Sequence, residues 1–413
     1  MASLGTLSRA LSHRNARIFF SASLIAWTGL WMHRIAVAWL AWELTHSALW
    51  VGVVAFCDLA PAVLVSPFAG AVADRVDRVR LTMATQIVIA ANAALNATLT
   101  ASGLMSIGTL LVLETIGGTA ASFNQPARQS LMHGLVPRAD LPAAVALNSL
   151  SYNVARFVGP GLAGPLIAIA GVWPAVACNA LAYTIAAATT PGLRVDAAAR
   201  RGHAATGSLL AEMVDGVRYA ARHPGLGPIL GFAAATAVLL RGVQEILPPY
   251  VERLYGLGAD ALAGLTACFG IGALVSGVAV AARGELAGTT RLAMLAVGAQ
   301  AVATIAFVAT GWFPLGLAAA AAIGGAASVH GISVQTLAQS AADPAMRGRI
   351  LSLWGMITRA CPALGALMLG ASGEVLGLRL PSLAAVALSA IVLAWGLRRL
   401  PRIASVLEGQ GRW

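Results

Sequence analysis

Twelve apolar stretches, each about 20 residues or longer, leave this chain few ways to fold. They run over 18–42, 48–71, 80–102, 106–126, 142–170 and 173–193, then 226–250, 259–282, 290–310, 313–337, 350–371 and 380–398. A helix needs about 20 mostly apolar residues to cross a ~30 Å hydrocarbon core. In lipid, only helices and closed barrels satisfy their own backbone polar groups. With 58% hydrophobic and 10% charged residues and short connections, little is left for any soluble domain. The expected fold is an all-α membrane protein with twelve transmembrane helices.

All 27 basic residues are arginine, since the chain has no lysine, and the formal net charge is +11. Arg9, Arg14 and Arg17 precede the first stretch, and Arg75, Arg78 and Arg80 follow the second. Arg128 and Arg138 follow the fourth, and Arg194, Arg200, Arg201, Arg218 and Arg222 follow the sixth. Arg283 and Arg291, Arg347 and Arg349, then Arg398, Arg399 and Arg402 continue the series, while the intervening connections carry only Arg253 and Arg379. This positive-inside alternation puts both termini in the cytoplasm. The surplus charge is thus a topology signal, and no nucleic-acid partner is expected. Trp42, Trp50, Trp173, Trp312 and Tyr250 fall at the opposite, outer ends, as an interfacial aromatic belt would. The absence of lysine also excludes a phosphate-gripping P-loop, so energy for any work must come from a gradient. Cys57, Cys178, Cys268 and Cys361 all lie within stretches and lack metal-ligand spacing, so neither disulfides nor a metal or other cofactor is expected. The N-terminal arm has no clean apolar run with a small-residue cleavage site, and a cleaved signal peptide is not expected.

One long connection, 194–225, separates two groups of six, giving an N-terminal bundle over 1–193 and a C-terminal bundle over 226–413. From Ser208 to His223 this linker sets Leu209, Leu210, Met213, Val214 and Val217 against Glu212, Asp215, Arg218 and Arg222. Such a helix either lies in the cytoplasmic membrane interface or is a solvated linker. The halves repeat weakly. Leu64-Val65-Ser66, Ile116-Gly117-Gly118 and Ser149-Leu150 with Arg156 recur as Leu274-Val275-Ser276, Ile323-Gly324-Gly325 and Ser352-Leu353 with Arg359, offset by 203 to 210 residues. Two parallel six-helix repeats around a midplane site are the architecture of secondary transporters.

Arg34, Asp58, Glu114, Arg156, Arg241, Glu245 and Arg359 sit inside the apolar stretches. An ionisable group in hydrocarbon costs between about 3 and 15 kcal/mol, so these must pair or line a wet cavity. Arg34, Asp58, Glu114 and Arg241 each lie about eight to ten residues from an outer end, a common layer some ~12–15 Å deep. Asp58 is the natural partner of Arg34, and Glu245 lies one turn from Arg241. Two readings stand for Glu114 and Asp58: a proton carrier or cargo contact, or a structural salt bridge to an arginine. Arg156 and Arg359 either bond facing polar groups or meet anionic cargo. His330 either titrates near neutral pH or is a packed hydrogen-bond partner.

Between the second and third stretches stands Gly70-Ala71-Val72-Ala73-Asp74-Arg75-Val76-Asp77-Arg78, and the fifth carries Gly159-Pro160-Gly161-Leu162-Ala163-Gly164-Pro165. Glycine permits close helix approach there, and proline a kink. The first spacing resembles the loop signature of the major facilitator superfamily, with Gly70, Asp74, Arg75 and Arg78 at its positions. Its counterpart around Arg283-Gly284-Glu285 keeps little of it. The second, with Gly159, Pro160 and Gly164, is similar to that superfamily's antiporter motif. Trp31-Met32-His33-Arg34, Asn124-Gln125-Pro126-Ala127-Arg128, Ala146-Leu147-Asn148-Ser149-Leu150 and Gly216-Val217-Arg218-Tyr219 resemble its enterobactin-exporter-like branch, which includes multidrug and macrolide pumps.

The resemblance implies two pseudo-symmetric six-helix bundles whose first, fourth, seventh and tenth spans line a central cavity. Arg34, Glu114, Arg241, Glu245 and His330 would then face the cargo path, joined by Arg156 and Arg359. The expected protein is a proton-coupled antiporter in a bacterial inner membrane, acting as a monomer. Its cargo would be a small amphipathic molecule, siderophore or drug-like, with Asp58 and Glu114 carrying protons. Several cavity arginines favour an anionic cargo. A broad multidrug pump is the alternative, and a transporter-like sensor or assembly scaffold is the alternative from another class. An enzyme is not expected, because no nucleophile, base and metal cluster appears.

Overall fold

Backbone groups that cannot reach water must bond within their own segment, and among the described residues every regular element is helical. The computed structural model describes residues 11–132, 134–137, 140–193, 209–283, 285–344 and 346–409. Helix α1 is Arg14–Thr45, α2 Ala48–Arg75, α3 Arg78–Ala101, α4 Ile107–Met132, α5 Leu141–Ala170 and α6 Val172–Thr189. The linker holds α7, Leu209–Arg222. Helix α8, Leu226–Thr236, continues through a π-helical turn, Ala237–Arg241, and a short piece, Gly242–Glu245. Then come α9 Leu247–Tyr255, α10 Ala259–Arg283, α11 Thr289–Ala309, α12 Phe313–Ala341, α13 Arg347–Leu376 and α14 Arg379–Glu408.

Among the described residues, nine segments are long and apolar enough to cross a membrane: α1, α5, α6, α8 with its continuation, and α10 to α14. Helices α3 and α4 are 24 and 26 residues long but more polar. Their polar side chains Gln86, Asn92, Asn96, Glu114, Ser122, Asn124 and Arg128 are buried. A span that hides its polar groups among its neighbours can be long enough and still score poorly on average hydropathy.

The contacts divide the chain into two units. The first comprises 1–45, 60–206 and 259–267, and the second 46–59, 207–258 and 268–413. In the first, α1 packs on α5 and α6, and α3 on α4 and α6. In the second, α8 with its continuation packs on α13 and α14, and α11 on α12 and α14. These are the same four pairings shifted by six spans, so the weak sequence repeat is a repeat of packing.

The division departs from a simple split of the sequence at two places, both of which small residues explain. In the second unit, α2 enters against α13. A Cβ on Gly52 would lie 2.7 Å from the Ala366 carbonyl oxygen, and one on Gly370 would lie 2.5 Å from that of Ala48. In the first unit, a Cβ on Gly164 of α5 would collide with that of Ala263 on α10. Glycine lets these backbones touch.

The expected single span over 226–250 is instead broken. Ile246 leaves the helical region at φ −119° and ψ 43°, directly before Leu247-Pro248-Pro249. Two prolines have no N–H to bond backward, and the residue before a proline disfavours the helical region. In the first unit, Asp77 ends the α2–α3 turn. Its Oδ1 accepts from the backbone N–H of Val79 at 2.8 Å and of Arg80 at 3.2 Å, capping α3. Gly70 and Asp74 belong to α2, but their side-chain surroundings lie outside what is described, as do all of Arg138, Arg194, Arg200 and Arg201. Arg75 is exposed and Arg78 half-buried.

Candidate functional site

Two matched stripes build the first unit's polar interior. On α1, Trp27, Trp31 and Arg34 stand four and three residues apart, hence on one face. On α5, Tyr152, Arg156 and Gly159 repeat that spacing and meet them. Tyr152 packs edge-on against Trp27 and Trp31, with centroids 5.4 and 6.0 Å apart. A Cβ on Gly159 would lie 2.6 Å from that of Trp31, so only glycine admits the tryptophan here. Pro160, beside it, is buried, and α5 runs unbroken through both its prolines. The result places two guanidinium groups on one indole: Arg34 and Arg156 each lie with Cζ 5.4 Å from the Trp31 ring centroid. Such cation–π contacts are worth about 0.5–2 kcal/mol each. They also concentrate positive charge beside an aromatic surface.

A different face of α1 carries His33. Its Nε2 lies 3.1 Å from Glu114 Oε1 on α4, with the residues only 7% and 5% exposed. Next to Glu114, Asn92 of α3 donates through Nδ2 to the Leu113 carbonyl at 3.0 Å, which fixes α3 against α4 at that level. Glu114 thus meets an imidazole rather than an arginine. His33, prominent in the sequence only as part of Trp31-Met32-His33-Arg34, is a partner of Glu114 that the pattern of carboxylates and arginines does not disclose. A histidine amid an apolar run, opposite a mid-span carboxylate, is the signal that could have found it. Asp58 is half-buried and belongs to the part of α2 that packs in the second unit.

In the second unit, Arg241 closes the π-helical turn of α8, a feature frequent at functional sites. Arg241 and His330 share a cleft with Thr236, Gln300, Trp354 and Thr358, ≈ 320 Å³ including the solvent at its mouth. His330 is buried; its Nδ1 lies 3.0 Å from the Ala293 carbonyl on α11, and its ring meets the edge of Phe232. A carbonyl only accepts, so Nδ1 carries the hydrogen and neutral His330 presents Nε2 as an acceptor. Among the described residues, that Nε2 has no hydrogen-bond partner. Glu245 and Arg359 are half-buried, on the continuation of α8 and on α13.

Arg128 does not lie in a basic loop as expected. Helix α4 runs through Pro126 to Met132, and Arg128 is buried in its last turns at 5% exposure. Its Nη1 donates to Ser23 Oγ at 2.8 Å, and Cζ sits 4.0 Å from the Trp27 ring centroid and 5.4 Å from that of Phe19. Counting charges by sequence position could not distinguish a loop arginine from one drawn inward by two aromatic rings.

The linker helix α7 has three faces. Gly216 and Ala220 are buried in the second unit, and a Cβ on Gly216 would lie 3.1 Å from that of Arg349. Asp215 pairs with Arg218 at 3.5 Å and with Arg349 at 3.7 Å, while Tyr219 Oη donates to Asp343 Oδ2 at 3.0 Å. Val214 and Val217 stay 54% and 50% exposed. The side chains of Leu209, Leu210, Glu212 and Met213 lie outside those described.

A family model described as transmembrane secretion effector matches residues 6–413. Over 157 residues the chain is 30% identical to the staphyloferrin A transporter of Staphylococcus aureus, a match covering 37% of this chain and 39% of that protein. It is 26% identical to the multidrug efflux pump Tap of Mycolicibacterium fortuitum over 92% of this chain and 94% of Tap. To the enterobactin exporter EntS of Shigella flexneri it is 26% identical over 90% and 88% of the two chains. Among solved structures, a bacterial homologue of the human lysosomal transporter Spinster superposes with a TM-score of 0.71 at 16% identity, covering 97% of this chain and 98% of that one.

Proposed function

The chain belongs to the transmembrane secretion effector family of the major facilitator superfamily, multi-pass membrane transporters rather than enzymes, and on that premise we propose that it is a proton-coupled exporter of a small amphipathic, anionic molecule. Its membrane would be the bacterial inner membrane. The observation that carries this reading is the buried His33–Glu114 bond of 3.1 Å, with His33 two residues from Trp31, whose ring two arginines share.

The chemistry follows from competition. A hydroxyl or amine of the cargo that bonds Glu114 competes with His33 for its carboxylate. A proton on Glu114 removes the negative charge that makes it a strong acceptor for that cargo group. One carboxylate serving two ligands in turn yields exchange of proton for cargo. Arg34 and Arg156 supply positive charge for an acidic group on the cargo, and Trp31 a flat apolar surface for its body. Asp58 is a second proton-carrier candidate. In the second unit, Arg241, His330, Glu245 and Arg359 are the proposed cargo contacts.

The test is transport into proteoliposomes under an imposed pH gradient, over a panel of catecholates, hydroxycarboxylates and cationic drugs. The expected outcome is proton-dependent movement of anionic compounds. Glu114→Gln would abolish uphill transport while leaving downhill exchange. If Glu114→Gln and Asp58→Asn each still drive cargo against its gradient, the coupling assignment is wrong. The similarity to Tap over nearly the whole chain favours a second reading, a broad multidrug pump, which a preference for the cationic drugs would identify. A sensor or scaffold would move none of the panel.

A further inference from the structure

Buried at one end of the first unit is a cation that the transport reading leaves unused. Arg128 comes from the last turns of α4, Phe19 and Ser23 from the beginning of α1, Thr82 from the start of α3, and Thr190 from the end of α6. Together with Trp27 and Asn124 they line a cleft of ≈ 450 Å³, counting the solvent at its mouth. Among the described residues no carboxylate lies within ion-pairing distance of Arg128. One guanidinium nitrogen reaches Ser23 Oγ, and one ring, Trp27, covers a face of the group. A guanidinium has five N–H donors in a fixed fork suited to a carboxylate or phosphate.

A second observation points the same way. Thr82, 2% exposed, lines the cleft with its Oγ1 buried and, among the described residues, without a partner. Asn124 is held by its neighbours, donating to the Thr82 carbonyl at 3.3 Å and to Thr85 Oγ1 at 2.8 Å. Gln86 accepts from Thr190 at 2.8 Å. The polar wall is therefore fixed by its own hydrogen bonds, while among the described residues one cation and one hydroxyl still lack an anionic partner. The same ends of the helices carry Arg14, Arg17, Arg75, Arg78 and Arg80, a rim that draws anions in.

We propose that this cleft is an oxyanion site, in which Arg128 and the Thr82 hydroxyl bind a carboxylate or phosphate group. The group belongs either to a soluble anion or to the headgroup of an anionic lipid. The site does not depend on the direction of transport or on its coupling, so it can fail or stand independently of them.

Thermal unfolding of the full chain in nanodiscs tests it. In phosphatidylcholine discs, inorganic phosphate is compared with chloride at equal ionic strength. A parallel set of discs is doped with phosphatidylglycerol. A saturable rise in midpoint with phosphate identifies a soluble anion, and a rise only with phosphatidylglycerol identifies a headgroup. Arg128→Gln should lose the rise. Thr82→Val should need about tenfold more ligand, as expected for losing one hydrogen bond to a charged group. Without ligand, Arg128→Gln should be no less stable than the parent, since among the described residues the buried charge that it removes faces no opposite one. No rise in either arm, or an equal rise in Arg128→Gln, overturns the proposal. Should Arg128→Gln not fold, an unchanged ligand requirement in Thr82→Val would overturn it equally.

Discussion

At the scale of single residues, burial decides who must pair with whom. His33 and Glu114 are both nearly inaccessible and bonded at 3.1 Å. Removing one partner leaves the other's polar atoms stranded in a low-dielectric interior, which costs more than the pair itself contributes. His33→Leu is therefore expected to lower stability by about 3–5 kcal/mol. The double change to His33→Leu with Glu114→Met should recover a large part of that loss. Unfolding of the single and double variants in detergent checks this, and additive losses would show that the two side chains do not interact. The carboxylate was legible in the sequence because a mid-span glutamate is rare. Its partner was not, because an arginine and a histidine look equally available until α1 is rotated against α4.

Among the elements, the junction between α7 and α8 makes a prediction about pH. His223 Nδ1 accepts from the backbone N–H groups of Gly225 at 3.2 Å and Leu226 at 3.1 Å, capping the start of α8. An acceptor nitrogen must be unprotonated. Burial holds the His223 imidazole below its ordinary range, against the opposing pull of Asp343. The unfolded chain then binds the proton more readily than the folded one, so stability rises with pH across this window. The cap is intact above the ordinary imidazole value of about 6.5 and is lost as pH falls below it. Amide exchange at Gly225 and Leu226 should accelerate relative to the rest of α8 between neutral and mildly acidic pH. His223→Leu should exchange quickly at every pH. No difference between the proteins would exclude the cap as a pH-sensitive contact. The exposed Val214 and Val217 and the docked Gly216 show why neither sequence reading of the linker was complete: α7 keeps an apolar face outward and is also fastened to the second unit.

For the whole molecule, the repeated packing of α1, α3, α4, α5 and α6 by α8, α11, α12, α13 and α14 carries a topological consequence. An even number of spans per repeat returns each half to the same side. The arginine alternation predicts that this side is the cytoplasmic one. In a background without Cys57, Cys178, Cys268 and Cys361, Ser102→Cys, beyond the end of α3, should react with an impermeant thiol reagent on intact cells. Arg80→Cys, in the first turn of α3, should react only after lysis. The opposite pattern would invert the orientation.

The all-helical class and the position of most of the described helices follow from the sequence, because each span satisfies its own backbone and needs only local apolar length. The glycines at 159 and 164 were readable as places of close approach for the same reason: a missing side chain is a local fact. What lies opposite each of them was not. Tertiary packing set Trp31 between Arg34 and Arg156, gave Glu114 a histidine, drew Arg128 out of an expected loop into the bundle, and broke the seventh span at Ile246. Those outcomes depend on helix rotation and on neighbours distant in the chain, and a linear pattern of charge and hydropathy contains neither.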